Sequence, residues 1–355
     1  MNTQASKIPA VQKPVISVIM AAYNAESYIA AAVKSVIDQT FTDFELIVVN
    51  DGSRDNTLGV LRSFTDRRIR IIDQENKGQD AAFNEGFRAS LGSYIKFFDA
   101  DDLLNPEMLQ RQLDVLICNE NTITYGEWAR FYKDQPELAD FSPLDYWKDA
   151  APMDFLTARP EGVMLQCGSM LLPRHLVEIA GLWNEDLVLY NDTEFFTRII
   201  LASAGVKFTP GARLYYRSGT KSSVSVQTAR KYFESTFQAT CLIGRHLLAH
   251  EDSYRVRNLV SNMFLDRYYA MYPKYPDLGK KHLQKAAEYG CATTKPEGST
   301  AFEAASTILG WKRARHLQFF YYQTGLARVI APVKRFLRTA FGKYRFARPN
   351  SQPST

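Results

Sequence analysis

The stretch PVISVIMAAYNAESYIAAAVKSVIDQTFTDFELIVVNDGSRDNT, residues 14–57, decides the fold. Val15–Ala22 is a short apolar run rich in β-branched residues, the pattern of a strand buried on both faces. SYIAAAVKSVIDQ then places Tyr28, Ile29, Ala32, Val33, Val36 and Ile37 on one helical face. Phe44–Asn50 is a second buried strand. DGSRDNT is a turn, with Ser53 and Asp55 as candidate N-caps of a short helix ending near Phe64.

The alternation continues. RIRIID reads as a third strand, GQDAAFNEGFRAS as a helix and SYIKFF as a fourth strand. Strands alternating with helices predict right-handed parallel crossovers and an α/β, doubly wound, mostly parallel sheet. Ligands of such sheets bind beyond the carboxyl ends of the strands. The segments YN, NDGS and DADD all fall at those ends. From about 120 to 215 the pattern loosens into aromatic-rich stretches, until Tyr190–Gly205 reads as a helix; residues 226–292 read as helical throughout.

The strand-end chemistry is acidic. Asp99, Asp101 and Asp102 crowd into four positions after a core strand, and carboxylates so placed repel one another unless a cation sits among them. Oxygen-only ligands suit Mg²⁺ or Mn²⁺. Asp101 or Asp102 equally reads as the cap of a helix starting near Pro106. Asp51 can accept an N–H from a base, or belong to an ordinary Asp-Gly turn. Tyr23 can stack on a base or pack in the core, and Glu26 lies at the same edge. Lys77 and two glycines near a helix start suit an anionic ligand, or form a plain loop and cap.

Together with NKGQDAAFNEGFRASLGSYIKFFDADD (76–102), the opening stretch resembles the family 2 glycosyltransferases, enzymes of the GT-A fold; the likeness covers about residues 14–110. The resemblance implies a nucleotide-sugar site at this edge. Asp51 would contact the base, Asp99 the ribose or metal region, and Asp101 the divalent cation bridging the diphosphate. Ala22, Tyr23, Glu26 and Ala100 would line the nucleotide pocket. Phe83 departs from the pattern, because many members carry an arginine there; Lys77, Arg217 or the metal would have to supply that positive charge.

WNEDLVLYNDTEFFTRI (183–199) extends the resemblance. Asp192 takes the place of the catalytic base, and Asn191 stands where a second acid is common. A sugar hydroxyl is a poor nucleophile, so a carboxylate within hydrogen-bond reach is needed to take its proton. Asp192 also suits the start of a helix as a charge on the macrodipole, and Glu194 with Arg198 reads as a structural i,i+4 pair. The family's nearby histidine is missing from RLYYRSGTKSSVS (213–225), where Arg217 and Lys221 are candidates to neutralise the leaving diphosphate.

Composition bounds the rest. With 46% hydrophobic and 23% charged residues the chain is ordinarily globular, and no apolar run is long enough for a bilayer-spanning helix. No secretory h-region opens the sequence, and the four cysteines are scattered without C-x-x-C, so a cytoplasmic protein with free thiols is expected. The net charge of +5 hides an asymmetry: ten of the 43 Lys and Arg fall after Glu303, and none of the 38 Asp and Glu do. In PVKRFLRTAFGKY (332–344) apolar and basic faces separate, and WKRARHLQFFYYQ (311–323) mixes basic with aromatic residues. Such a segment suits an anionic membrane surface, here over 311–348, or a helix packed on the body. No nucleic-acid recognition motif accompanies it.

The expected organisation is therefore a disordered start (1–13), a GT-A domain (14–225, its nucleotide half ending near 120), a helical region (226–303) and a basic amphipathic tail (304–355). The expected activity is inverting transfer of a sugar from a nucleotide-diphosphate sugar to a glycan or lipid-linked glycan acceptor, at the inner face of the cell membrane. Two other readings stand beside it. One is a non-catalytic nucleotide-sugar-binding or scaffold protein of the same fold. The other is a sugar nucleotidyltransferase, against which the lack of a Gly-rich basic loop after the first strand counts.

Overall fold

The computed structural model describes residues 13–219, 228–290, 296 and 298–324. Lys221, residues 1–12 and the 328–348 part of the tail lie outside the described residues. The first half runs β1 (Ile16–Ala22), α1 (Ile29–Ile37), β2 (Phe44–Asp51), α2 (Thr57–Arg62), β3 (Ile69–Gln74), α3 (Gln79–Ala89) and β4 (Tyr94–Asp99). After it come β5 (Leu103–Leu104), α4 (Met108–Ile117), β6 (Thr122–Phe131), α5 (Pro152–Leu156), β7 (Met170–Pro173), α6 (Arg174–Ala180), α7 (Asn191–Ala202) and β8 (Gly205–Arg217).

One eight-stranded mixed sheet results, in the order β3-β2-β1-β4-β7-β6-β8-β5. Strands β1 to β4 pair in parallel, as the alternating pattern requires, while β7 lies antiparallel between β4 and β6. The register Ala22↔Asn50 and Ala21↔Asp99 brings three strand ends to one edge.

The period of two along each strand feeds two cores. Ile19 and Phe97 point to one face of the sheet, among Phe83, Trp183 and Phe195. Val18, Met20 and Phe98 point to the other, where α1 contributes Ile29, Ala32, Val33 and Val36. Trp183 stacks on Phe195, ring centroids 4.1 Å apart at 11°. Helix α3 approaches the sheet through Gly86, where a Cβ would lie 2.3 Å from Ile19 Cγ2.

Within the stretch expected to be helical, the described residues 228–290 form three helices, α8 (Arg230–His250), α9 (Tyr254–Met271) and α10 (Pro276–Tyr289). The chain then forms α11 (Thr300–Leu309) and α12 (Trp311–Gln323). Two compact units divide the described residues. One holds the chain up to Tyr268 together with Asp277 through α10; the other holds Tyr269–Pro276 and the chain from residue 296. In the second unit Ser299 caps α11, the Arg315 guanidinium lies 4.2 Å from the Phe302 ring, and Trp311 packs on Tyr269 and Tyr272. Among the described residues no helix is long and apolar enough to cross a membrane.

Two expected caps are corrected. Helix α2 begins at Thr57 behind Asn56, which makes no side-chain cap. Ser53 instead accepts from the Asn24 N–H, and Asp55 bridges the Glu26 N–H and Thr57. Helix α4 starts at Met108 behind Glu107, so neither Asp101 nor Asp102 caps it.

Candidate active site

The site is built on the carboxyl ends of β1, β2 and β4. After β1, Ala22 is buried while Tyr23 is 47% exposed, so Tyr23 is a rim residue and not core packing. The loop after β1 is tied to the loop after β2: Arg54 N–H donates to Asn24 Oδ1 at 2.8 Å, and Asn56 N–H to Glu26 Oε2 at 3.1 Å. Glu26 therefore helps shape this rim from an exposed position.

Asp51 is buried at the end of β2. Its Oδ1 accepts from Gln74 Nε2 and the Lys77 N–H, and its Oδ2 from the Gly78 N–H, each at 2.8 Å. The Asp-Gly turn is present as well, with Gly52 at φ +67° and its Cβ position only 2.6 Å from the Asn76 nitrogen. Lys77 contributes its backbone here, and its side chain is exposed.

Five consecutive residues, Asn76–Asp80, fasten the site together. Beyond the bonds to Asp51, Gln79 Nε2 donates to Asp99 Oδ1 at 2.6 Å. Asp80, buried, accepts from Asn191 Nδ2 at the start of α7, while its Oδ2 has no hydrogen-bond partner. Nothing local in the sequence marks Gln79 or Asp80, whose partners lie 20 and 111 positions away.

The three aspartates after β4 divide into two kinds. Asp102 is buried and accepts from the Arg217 N–H at 2.7 Å, a bond that ties β4 to the end of β8. Asp99 and Asp101 are half-buried on the site edge. Burial, helped by the charges of Asp101 and Asp192, pushes Asp99 up to about 7. Burial also raises Asp101, although Arg217 opposes it. Ala100 between them is buried.

Asp192 stands in the first turn of α7, following Tyr190 in a left-handed conformation (φ 65°). Its Oδ1 accepts from the Thr193 N–H at 2.6 Å, and burial raises its pKa against that bond. Gln79, bonded to Asp99, and Asp80, bonded to Asn191, are neighbours in α3, so the end of β4 and the first turn of α7 are tied to the same helix turn. Glu194 pairs with Arg198 (2.8 Å) as an i,i+4 bridge, which also holds the carbonyls of Ala180, Gly181 and Leu182. Phe83 is only 1% exposed, packed between Phe97 and Trp183, so it is a core residue and supplies nothing to the site.

Arg217 is not on a solvated loop. It is buried, with Nε on the Asp101 carbonyl and Nη1 on Asp134. In the middle of β4 lies Lys96, fully buried, donating to the carbonyls of Gly168 and Met170 at 2.8 Å each. Burial pulls its pKa down to about 7. Cys167 is a free, buried thiol whose pKa is raised by burial and by Asp99 and Asp192.

Residues 17–176 match the model of glycosyl transferase family 2. The chain carries a family 2 glycosyltransferase domain.

The glycosyltransferase EpsH of Bacillus subtilis is 34% identical over 142 residues, 36% of this chain and 41% of that protein. WfgD of Escherichia coli, named a UDP-Glc:alpha-D-GlcNAc-diphosphoundecaprenol beta-1,3-glucosyltransferase, is 36% identical over 114 residues, 32% of this chain and 45% of that protein. The chain thus spans less than half the length of these two relatives. S. aureus TarS 1-349, solved in complex with UDP-GlcNAc, superposes with a TM-score of 0.64 over 87% of this chain and 92% of that one. At 16% identity this likeness bears on the fold alone, and the fold is GT-A with a helical C-terminal region.

The donor set of the glycosyltransferase domain fits a divalent cation chemically. Asp99 and Asp101 offer only oxygen, and burial disfavours their ionised forms, a cost that a bound cation would offset. Among the described residues no group of three or more His, Cys, Asp and Glu is arranged to hold a metal. Two carboxylates plus substrate phosphates are a set that Mg²⁺ accepts.

Proposed function

We propose that this chain is an inverting glycosyltransferase that moves a sugar from a nucleotide-diphosphate sugar to a hydroxyl of a glycan or lipid-linked glycan. One observation carries the reading: the first turn of α3 holds both sides of the site, Gln79 donating to Asp99 after β4 and Asp80 accepting from Asn191, the residue before Asp192 on α7. A base and a donor anchor on opposite sides of one gap are what a displacement at an anomeric carbon needs. The family match, the name of WfgD and the nucleotide complexes of TarS support a UDP-sugar as donor.

In this reading Asp51, Ala22, Tyr23, Glu26 and Ala100 form the nucleoside side of the pocket, with Tyr23 free to stack on a base. Lys77 and Arg217 lie on the diphosphate side. Mg²⁺ or Mn²⁺ held by Asp101 and Asp99 would offset negative charge on the diphosphate. Asp192 accepts the proton of the acceptor hydroxyl, and its raised pKa makes it the stronger base. The oxygen attacks the anomeric carbon from the face opposite the diphosphate. The bond to the diphosphate breaks, its electron pair leaves with the phosphate oxygen, and the configuration inverts.

The acceptor is assigned to the cytoplasmic face of a membrane, which the chain approaches as a peripheral protein. Supporting this, α12 exposes Lys312 and Arg313 beside Leu317 and Phe320, and no Asp or Glu follows Glu303. The deciding experiment is a thermal-shift panel of UDP, GDP, dTDP and CDP, each with and without Mn²⁺. A Mn²⁺-dependent rise with one nucleotide is expected. No rise with any of them, at concentrations far above a millimolar Kd, removes the reading.

A further inference from the structure

Arg217 and Asp134 form an unequal pair. The arginine is fixed: its N–H donates to Asp102, its Nε to the Asp101 carbonyl, and its guanidinium lies 4.6 Å from the Tyr28 ring and 4.5 Å from the Phe131 ring. Its side chain is 7% exposed. The carboxylate bonded to its Nη1 belongs to Asp134, whose side chain is 74% exposed on the loop after β6, where Lys133 and Asp134 both have left-handed backbones (φ 54° and 55°).

A nearly buried guanidinium requires an anion, because an uncompensated charge there is costly. The exposed partner can leave at little cost, since its own charge returns to water. A phosphate group offers more charge than one carboxylate and accepts the planar fork of arginine in bidentate fashion. The bond from Arg217 to the Asp101 carbonyl puts this guanidinium directly beside the aspartate to which the proposed function assigns the cation of the diphosphate.

We propose that Asp134 is an internal competitor of the donor: it occupies Arg217 in the donor-free protein and is displaced by diphosphate oxygens when the nucleotide-sugar binds. The inference rests on the donor reading given above. Asp134 thereby sets donor affinity and favours ligands with a full diphosphate over those with weaker anions. It also supplies the site with a replaceable anion, so that Arg217 stays paired in both states.

The test is calorimetric titration of the full chain with UDP, GDP and inorganic pyrophosphate in Mn²⁺, on wild type, Asp134→Asn, Asp134→Glu and the double variant Asp134→Asn/Arg217→Met. Asp134→Asn is expected to bind the diphosphate probes roughly fivefold more tightly, in line with removal of one competing, partly exposed ion pair. Asp134→Glu should follow wild type, and the double variant should lose the gain. Thermal melts check that each variant folds, and the comparison of wild type with Asp134→Asn stands without the arginine variant. Weaker binding by Asp134→Asn would show that Asp134 merely positions Arg217 and would overturn the proposal; so would equal binding. Binding by wild type without a gain in Asp134→Asn removes this inference alone. Binding of no probe by either protein removes the donor reading as well.

Discussion

Asp80 Oδ1 accepts a hydrogen bond from Asn191 Nδ2 at 2.5 Å, fastening the first turn of α3 to the first turn of α7 one residue before Asp192. Burial raises the Asp80 carboxyl to about 7, the Asn191 bond opposing and the charges of Asp192, Glu194 and Glu185 adding to it. A folded pKa above the unfolded value of 3.8 means that the native state binds more protons between about pH 4 and 7. The stability this group contributes is full below pH 4 and is lost as pH rises through 7. Asp80→Asn keeps an acceptor for Asn191 and removes the titration. Its melting temperature is expected to fall less than that of wild type between pH 4 and 7, the difference corresponding to on the order of 1–4 kcal/mol. Parallel pH profiles for the two proteins would contradict this.

Asp101→Ala removes one of the two carboxylates proposed to hold the cation. It is expected to abolish the Mn²⁺-dependent part of the nucleotide thermal shift. Asp102→Ala should instead lower stability without nucleotide, because Asp102 is committed to the Arg217 N–H. Thermal shift with and without Mn²⁺ separates the two aspartates.

Asp192→Asn keeps the size of the side chain and loses the base. Sugar transfer is expected to drop by about 10²–10⁴-fold, while the affinity for the donor nucleotide stays within about twofold. A loss of nucleotide binding equal to the loss of turnover would place Asp192 on the donor and remove it as the base.

Phe83→Arg would install the arginine that the resemblance implied at this position. The position is buried against Phe97 and Trp183, with ring centroids 5.2 and 5.0 Å away. An unpaired guanidinium there is expected to cost at least about 3 kcal/mol, read by urea denaturation, and not to improve nucleotide binding. Trp183 and Phe195, stacked beside it, show that this part of the chain has been given over to apolar packing.

Much of the donor half was legible in the residues alone. Strands β1, β2 and β4 are buried on both faces and so read as unbroken apolar runs, and Tyr94–Asp99 ends where the charge begins. The later strands were not legible. β7 has four residues and β5 two, too short for any period to show, and β8 pairs with β6 through a register shift at Gly126/Glu127. The caps assigned to Ser53 and Asp55 failed in part because both residues had partners across the site edge, where local reading sees only the following helix.

By itself the sequence determined where the first four strands lie along the chain, the faces of α1 and the placing of Asp51, Asp99 and Asp101 at strand ends. These depend on apolar period and turn residues within a few positions of each other. The order of those strands in the sheet, β3-β2-β1-β4, came from the tertiary structure. Tertiary structure alone decided which carboxylates remain available. Asp102 is taken by Arg217, Asp51 is surrounded by donors from residues 74–78, and Asp134 is drawn to a guanidinium 83 positions away. A hydrogen bond is a short-range, directional contact, and which groups come within 3 Å of one another is set by how the sheet folds the chain back on itself, not by the local pattern of residues.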